Sequence, residues 1–161
     1  MKYTLNIGCG DRTYIEYPAG YECCNVDERR ELRNVDVVCD VTNLSEFTNA
    51  SFDYILASDI LEHFPLKKTV DILREWCRVL KVGGNIEFRV PNLSAICNHY
   101  IGHGDATHVS WLLYGGQDYP GNFHYVCFNR KMLTELCEQV GLVAIEYREE
   151  GTNFILLVKK K

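Results

Sequence analysis

The chain has 161 residues, 47% of them hydrophobic and 24% charged, with a net charge of −5. That length forms one domain able to bury a core without staples, and no apolar run approaches the ~20 residues a membrane helix needs. The acidic balance argues against an extended phosphate-binding face, and so against nucleic acid as a partner.

The first predicted strand, Tyr3 to Ile7, runs into Gly8-Cys9-Gly10. Glycines one residue apart at a strand end admit φ > 0 and let a ligand approach the backbone where a Cβ would block it. Pro18 and Gly20 leave little room for a helix before the second strand, Glu22 to Val26, so the first crossover is expected to be short. That strand ends in Asp27, 19 residues after Gly8, where a carboxylate at the tip of a parallel strand would hold a ribose diol. Asp36 to Cys39 reads as a third strand ending in Asp40, and Thr42 to Phe47 as one helical turn. Tyr54 to Ala57 makes a fourth strand that finishes at Ser58-Asp59.

Pro65 suits the first turn of the next helix, whose apolar face is Val70, Leu73, Trp76, Cys77 and Leu80 and whose stop is Gly83-Gly84. Ile86 to Val90 is the fifth strand. From Leu93 to Asn122 no period is sustained, and a loop-rich insertion is expected there, from about 91 to 127, carrying an acceptor site. A helix from Arg130 to Val140 with Gly141 as its stop precedes two strands, Leu142 to Tyr147 and Phe154 to Val158. The link between them is too short for a crossover helix, so they should form an antiparallel hairpin.

The first strand begins almost at Met1, which predicts no secretory leader. The eight cysteines stand singly or as the adjacent pair Cys23-Cys24, with no CxxC spacing. They read as buried thiols in a reducing, cytoplasmic compartment, and no metal-ligand set is read from the sequence. Cys9 should line whatever the glycine turn holds.

Taken together, LNIGCG, the acids at Asp27 and Asp40, FDYILASDILEHF, LKVGGNIEFRVPN and the final hairpin resemble a class I S-adenosylmethionine-dependent methyltransferase. Within that class, the early start, the NVD after the second strand and HYVCFNRKMLTELCEQVGL are similar to the small methyltransferases associated with cell-surface polysaccharide synthesis. The resemblance implies an α/β, Rossmann-like three-layer sandwich over residues 1–161, with a seven-stranded, mostly parallel sheet. It further implies that Gly8, Cys9 and Gly10 cradle the methionine part of S-adenosylmethionine and that Asp27 holds the ribose. Asp40 and Val41 would meet the adenine, and Ser58 and Asp59 would lie beside the amino acid end.

A sulfonium methyl is already activated, so the protein must orient an acceptor and exclude water, which can supply ~7–11 kcal/mol. An oxygen acceptor also needs a proton acceptor, and all five histidines fall between positions 63 and 124. His124 and His63 are the catalytic candidates; Asn92, His108, Asp118 and Tyr119 are candidates for binding the acceptor, expected to be a small molecule or glycan. A second reading is a non-catalytic cofactor-binding subunit of a complex, either of a partner chain or a homodimer. A nicotinamide-dependent oxidoreductase would want a third glycine where Thr13 stands.

Overall fold

The computed structural model describes residues 1–11 and 18–161. Strand β1 (Lys2–Ile7) is buried from Thr4 onward on both of its faces, as the centre of a parallel sheet requires. β2 (Tyr21–Asp27) and β4 (Phe52–Ser58) flank it in parallel, with Ile7 opposite both Val26 and Ala57. With β3 (Val37–Val38), β5 (Leu80–Pro91), β6 (Leu142–Glu150) and β7 (Asn153–Lys160), they form a seven-stranded sheet in the order β3-β2-β1-β4-β5-β7-β6. Only β7 runs against its neighbours, so the C-terminal hairpin and the mostly parallel, Rossmann-like α/β fold are as expected. The strand order reverses between β1 and β4. At such a switch point the connections leave to opposite sides and open a crevice at the carboxyl ends of the strands.

Several expectations change in detail. The third strand pairs over only Val37 and Val38; beside it the Asp36 N–H donates to the Asn25 carbonyl while the Asp36 carboxylate accepts from the Asn25 N–H. Thr42 to Phe47 forms turns and no helix; Glu75 takes the Leu44 N–H, and Arg78 donates to the Leu44 and Phe47 carbonyls, so the backbone finds its partners in side chains. Helix α1 (Leu66–Val79) ends before the glycines. Leu80 already pairs with Phe52, and Lys81 to Gly84 bulge out of β5 before Asn85 resumes opposite Tyr54. Gly84 is needed there, since a Cβ would come within 2.9 Å of the Asp53 carbonyl. The expected short first crossover, and Thr13 with it, lie partly in residues 12–17, outside the described residues.

The stretch read as loop holds two helices, α2 (Leu93–His103) and α3 (Ala106–Tyr114). Each buries a single residue, Ile96 and Leu112, so there is no apolar stripe for a periodicity to report. α4 (Arg130–Glu138) buries Leu133 and Cys137 and packs beside α1 over a core of Leu5, Ile7, Ile55, Phe88, Leu156 and Trp76. The thiols of Cys9, Cys77 and Cys137 are buried, but Cys97 is exposed on α2, against the expectation of buried thiols. No described helix is long and apolar enough to cross a membrane.

Candidate active site

β1 ends in the glycine turn. Gly8 has φ +64, and a Cβ on it would sit 2.6 Å from the Ile60 side chain, so the position tolerates no other residue without movement. The Cys9 N–H donates to the Val26 carbonyl at 3.0 Å and the Gly10 N–H to Asp27 Oδ2 at 3.0 Å, which ties the turn to β2. A cavity of about 590 Å³ opens over this turn, within the size range of small-molecule sites. It is lined by Gly8, Cys9, Gly10, Ser58 and Asp59, and also by His63 and His124. A smaller lobe of about 150 Å³ lies over Asp27, Asp40 and Val41 and shares Gly8, Asp59 and His63 with the first. The structure therefore brings all eight predicted cofactor residues to one two-lobed cavity at the switch point. The Cys9 thiol is pushed up to about 11, by burial first and by Asp27 second, so it stays protonated at neutral pH and lines the site without acting as a nucleophile.

Arg29 is a site residue that the sequence reading did not single out. Its backbone N–H and Nε donate to Asp27 Oδ1 at 3.0 Å and its Nη2 to Oδ2 at 3.2 Å, while its guanidinium stacks 5.0 Å from the Tyr119 ring centre. Burial alone would raise the Asp27 carboxyl, but these bonds and the Gly10 N–H hold it below its ordinary value. The signal was the charged run after Asp27, in which Arg29 was one of several solvated candidates. Asp40 accepts from the Thr42 N–H and hydroxyl. Trp76, assigned to the core alone, also donates its indole N–H to the Val41 carbonyl at 2.8 Å and so fixes a wall of the smaller lobe.

At the end of β4, Asp59 has φ +52 and its backbone N–H donates to the Arg89 carbonyl. Asn153 Nδ2 donates to its Oδ1 at 2.7 Å, and Arg89, itself paired with Glu150, reaches its Oδ2. Ser58 donates its hydroxyl to the same oxygen. β5 and β7 thus hold the floor of the cavity in place across the sheet.

The two catalytic candidates meet: the His63 and His124 rings pack edge to face with centres 4.8 Å apart. His63 Nδ1 lies 3.1 Å from the Gly121 carbonyl and His124 Nδ1 2.9 Å from that of Leu112. A carbonyl can only accept, so in each neutral ring Nδ1 carries the proton and Nε2 the lone pair. Burial pulls both rings below the ordinary value of 6.5, and His63 is pulled further by His124.

The acceptor candidates divide. Tyr119 lines both lobes. Asp118 lies off both linings and accepts at 2.5 Å from Asn122, which lines the larger lobe. Asn92 is buried and caps α2, accepting from the Ser94 and Ala95 N–H groups, so it lies off the cavity lining. His108 is exposed on α3 beside His99, its ring centre 5.2 Å away, and also lies off the lining. Glu62, Arg89, Trp111 and Asn153 line the larger lobe and were not predicted. Glu62 stood in plain view next to His63.

A family model described as "methyltransferase domain" matches residues 5–88, a little over half of the chain. No curated protein matches the chain at a significant level. Among solved structures, a S-adenosylmethionine-dependent methyltransferase from Methanosarcina mazei superimposes with a TM-score of 0.69 at 19% identity, covering 98% of this chain and 92% of the other. A 1,6-didemethyltoxoflavin-N1-methyltransferase from Burkholderia thailandensis, solved with its acceptor and S-adenosylhomocysteine, gives 0.69 at 15% identity over 99% and 71%. An O-methyltransferase family protein from the same organism gives 0.69 at 11% identity, over 99% of this chain and 51% of that one. At these identities the likeness is one of fold.

Proposed function

The chain belongs to the methyltransferase domain family and is a S-adenosylmethionine-dependent methyltransferase, and from that premise we propose that it methylates a small-molecule or carbohydrate-like acceptor at oxygen. The observation that carries this reading is the continuous cavity from the glycine turn to the paired histidines. In it, Gly8, Cys9 and Gly10 receive the methionine part of the cofactor, with Ser58 and Asp59 beside its amino acid end. The smaller lobe receives the adenosine: Asp40 and the Val41 N–H meet the adenine, and Asp27 takes the ribose diol, which displaces the Arg29 guanidinium from the carboxylate.

The acceptor enters at the other end, beside Tyr119, Asp118 and the histidines. Methyl transfer forms a C–O bond and breaks the sulfonium C–S bond, whose electron pair stays on sulfur. The acceptor hydroxyl must lose its proton as this happens. The Nε2 lone pairs of His63 and His124 are the groups to promote that loss, and a closed, oriented pair of reactants supplies the rest. A hydroxyl-bearing acceptor suits these neutral acceptors of hydrogen bonds, and the polar lining suits a polyol. Solved proteins of this fold include one named for nitrogen and one for oxygen, so the atom is chosen by the site rather than by the fold.

The test is a panel of free, phosphorylated and amino hexoses incubated with the enzyme and labelled cofactor. Transfer of label to a hydroxyl is expected. His63→Ala and His124→Ala should each lower it by roughly 100-fold or more while cofactor binding is kept. Transfer only to amine acceptors, or undiminished transfer by both variants, contradicts the reading.

A further inference from the structure

Glu62, His63 and His124 converge on one point of the cavity wall, where a carboxylate oxygen and one nitrogen of each ring all lie within 4.8 Å of one another. Both histidines set Nδ1 against a backbone carbonyl, and His63 also meets the Phe123 backbone; Nε2 is the ring nitrogen taken as the ligand. That arrangement is what outer-shell contacts impose on metal-bound histidines, where the spare N–H is given to a carbonyl and the ring orientation is fixed. The cluster is also held from behind. The Tyr125 N–H donates to the Glu62 carbonyl at 2.8 Å and the His124 N–H to that of Tyr114 at 3.1 Å. Gly115 leaves room for this approach, since a Cβ there would lie 2.6 Å from the Asn122 carbonyl oxygen and 3.2 Å from the His124 ring. Glu62 is fully buried, whereas the two rings are half-buried and face the cavity.

We propose that Glu62, His63 and His124 bind a divalent transition-metal ion of the zinc class, and that this ion, at the acceptor end of the cavity as read above, takes the acceptor's hydroxyl oxygen. Two imidazoles and one carboxylate suit such an ion; magnesium and calcium prefer all-oxygen sets. Three protein ligands leave coordination positions open toward the cavity for substrate. The ion acidifies the bound hydroxyl, whose proton passes to water as the acceptor binds, before the reactants are closed together. The metal-bound oxygen then attacks the sulfonium methyl: the C–O bond forms, the C–S bond breaks, and sulfur keeps the electron pair as a neutral thioether. On this account the histidine pair acts through the ion.

The test is titration of the chelator-treated full chain with Co²⁺, followed by visible absorption and equilibrium dialysis, with calorimetric binding of S-adenosylmethionine measured on the same samples. One cobalt per chain is expected, with d–d bands but without the near-ultraviolet charge transfer that a thiolate ligand such as Cys9 would add. Glu62→Gln, His63→Asn and His124→Asn should each weaken it at least ~10-fold. The exposed cluster of His99, His103 and His108 is the competing surface site. The triple variant His99→Ala, His103→Ala, His108→Ala should leave the cobalt spectrum unchanged, which keeps the test decisive if a buried variant fails to fold. Loss of the spectrum in that triple variant, a thiolate band, or no cobalt uptake by folded wild type overturns the metal site. If S-adenosylmethionine binds in that case, the proposed function stands without the metal. Cobalt uptake by a chain that binds no cofactor would instead sustain the metal site and sink the proposed function.

Discussion

Asp27 answers two demands with one carboxylate. It anchors the glycine turn through the Gly10 N–H and holds Arg29 by three further bonds, so its hydrogen-bonding capacity is filled before any ligand arrives. Because these bonds outweigh burial, its folded pKa lies below the ordinary 3.8. A carboxyl depressed on folding contributes stability that is complete above the unfolded value and is lost as pH falls through the lower folded one. Arg29→Gln should therefore cost about 1–2 kcal/mol near neutral pH, and the difference from wild type should shrink as pH falls below 3.8. Urea unfolding across that range reads it. The same variant should bind cofactor no more weakly, since the ribose then meets no competitor. A gap that does not change with pH would place the stabilisation elsewhere than in the ionised pair.

At the scale of elements, α2 begins at a capping residue. Asn92 Oδ1 accepts from Ser94 and Ala95, and its own N–H donates to the Thr152 carbonyl, so it joins the helix to the C-terminal hairpin. Asn92→Ala should cost ~1 kcal/mol and lower Tm by roughly 2–4 °C, with acceptor KM unchanged. An unchanged Tm with a raised KM would return Asn92 to the acceptor site.

The same element shows what a sequence conceals. Strands ending in glycine or acid were legible, because β1 and β4 are central, apolar runs and β2 pairs beside β1, so that their polar tips lie at one edge. So was α4, with a clear apolar face. α2 and α3 were not, because they bury one residue each and their signals are only caps: Asn92, Asp105 and the left-handed Gly104. The end of α1 was misread for the opposite reason. Gly83-Gly84 is a helix stop in most settings, and only the pairing of Leu80 with Phe52 turns it into a strand bulge. In the site, Asp27 could be named from spacing and the other strand-end residues from the family resemblance. Of the partners that hold them, Arg29 follows Asp27 by two residues and was hidden among a run of charges, whereas Arg89 and Asn153 come from across the sheet and leave no local trace.

At the scale of the molecule, one reversal of strand order organises everything described. The crevice between β1 and β4 receives the glycine turn, the acids of β2 and of the turn after β3, and the Ser58-Asp59 corner; the helical insertion after β5 and the segment leading to His124 close over it. A two-lobed cavity of this kind can hold the adenosine of a cofactor in the smaller lobe and set its reactive group beside an acceptor in the larger one. The central claim is that the glycine turn and Asp27 bind S-adenosylmethionine. Isothermal calorimetry of S-adenosylmethionine and S-adenosylhomocysteine with wild type and Asp27→Ala tests it most directly. Roughly micromolar binding of both is predicted, weakened at least tenfold, or ~1.4 kcal/mol, by the substitution. A folded wild-type chain that binds neither compound, or an Asp27→Ala variant that binds both as tightly, would contradict it.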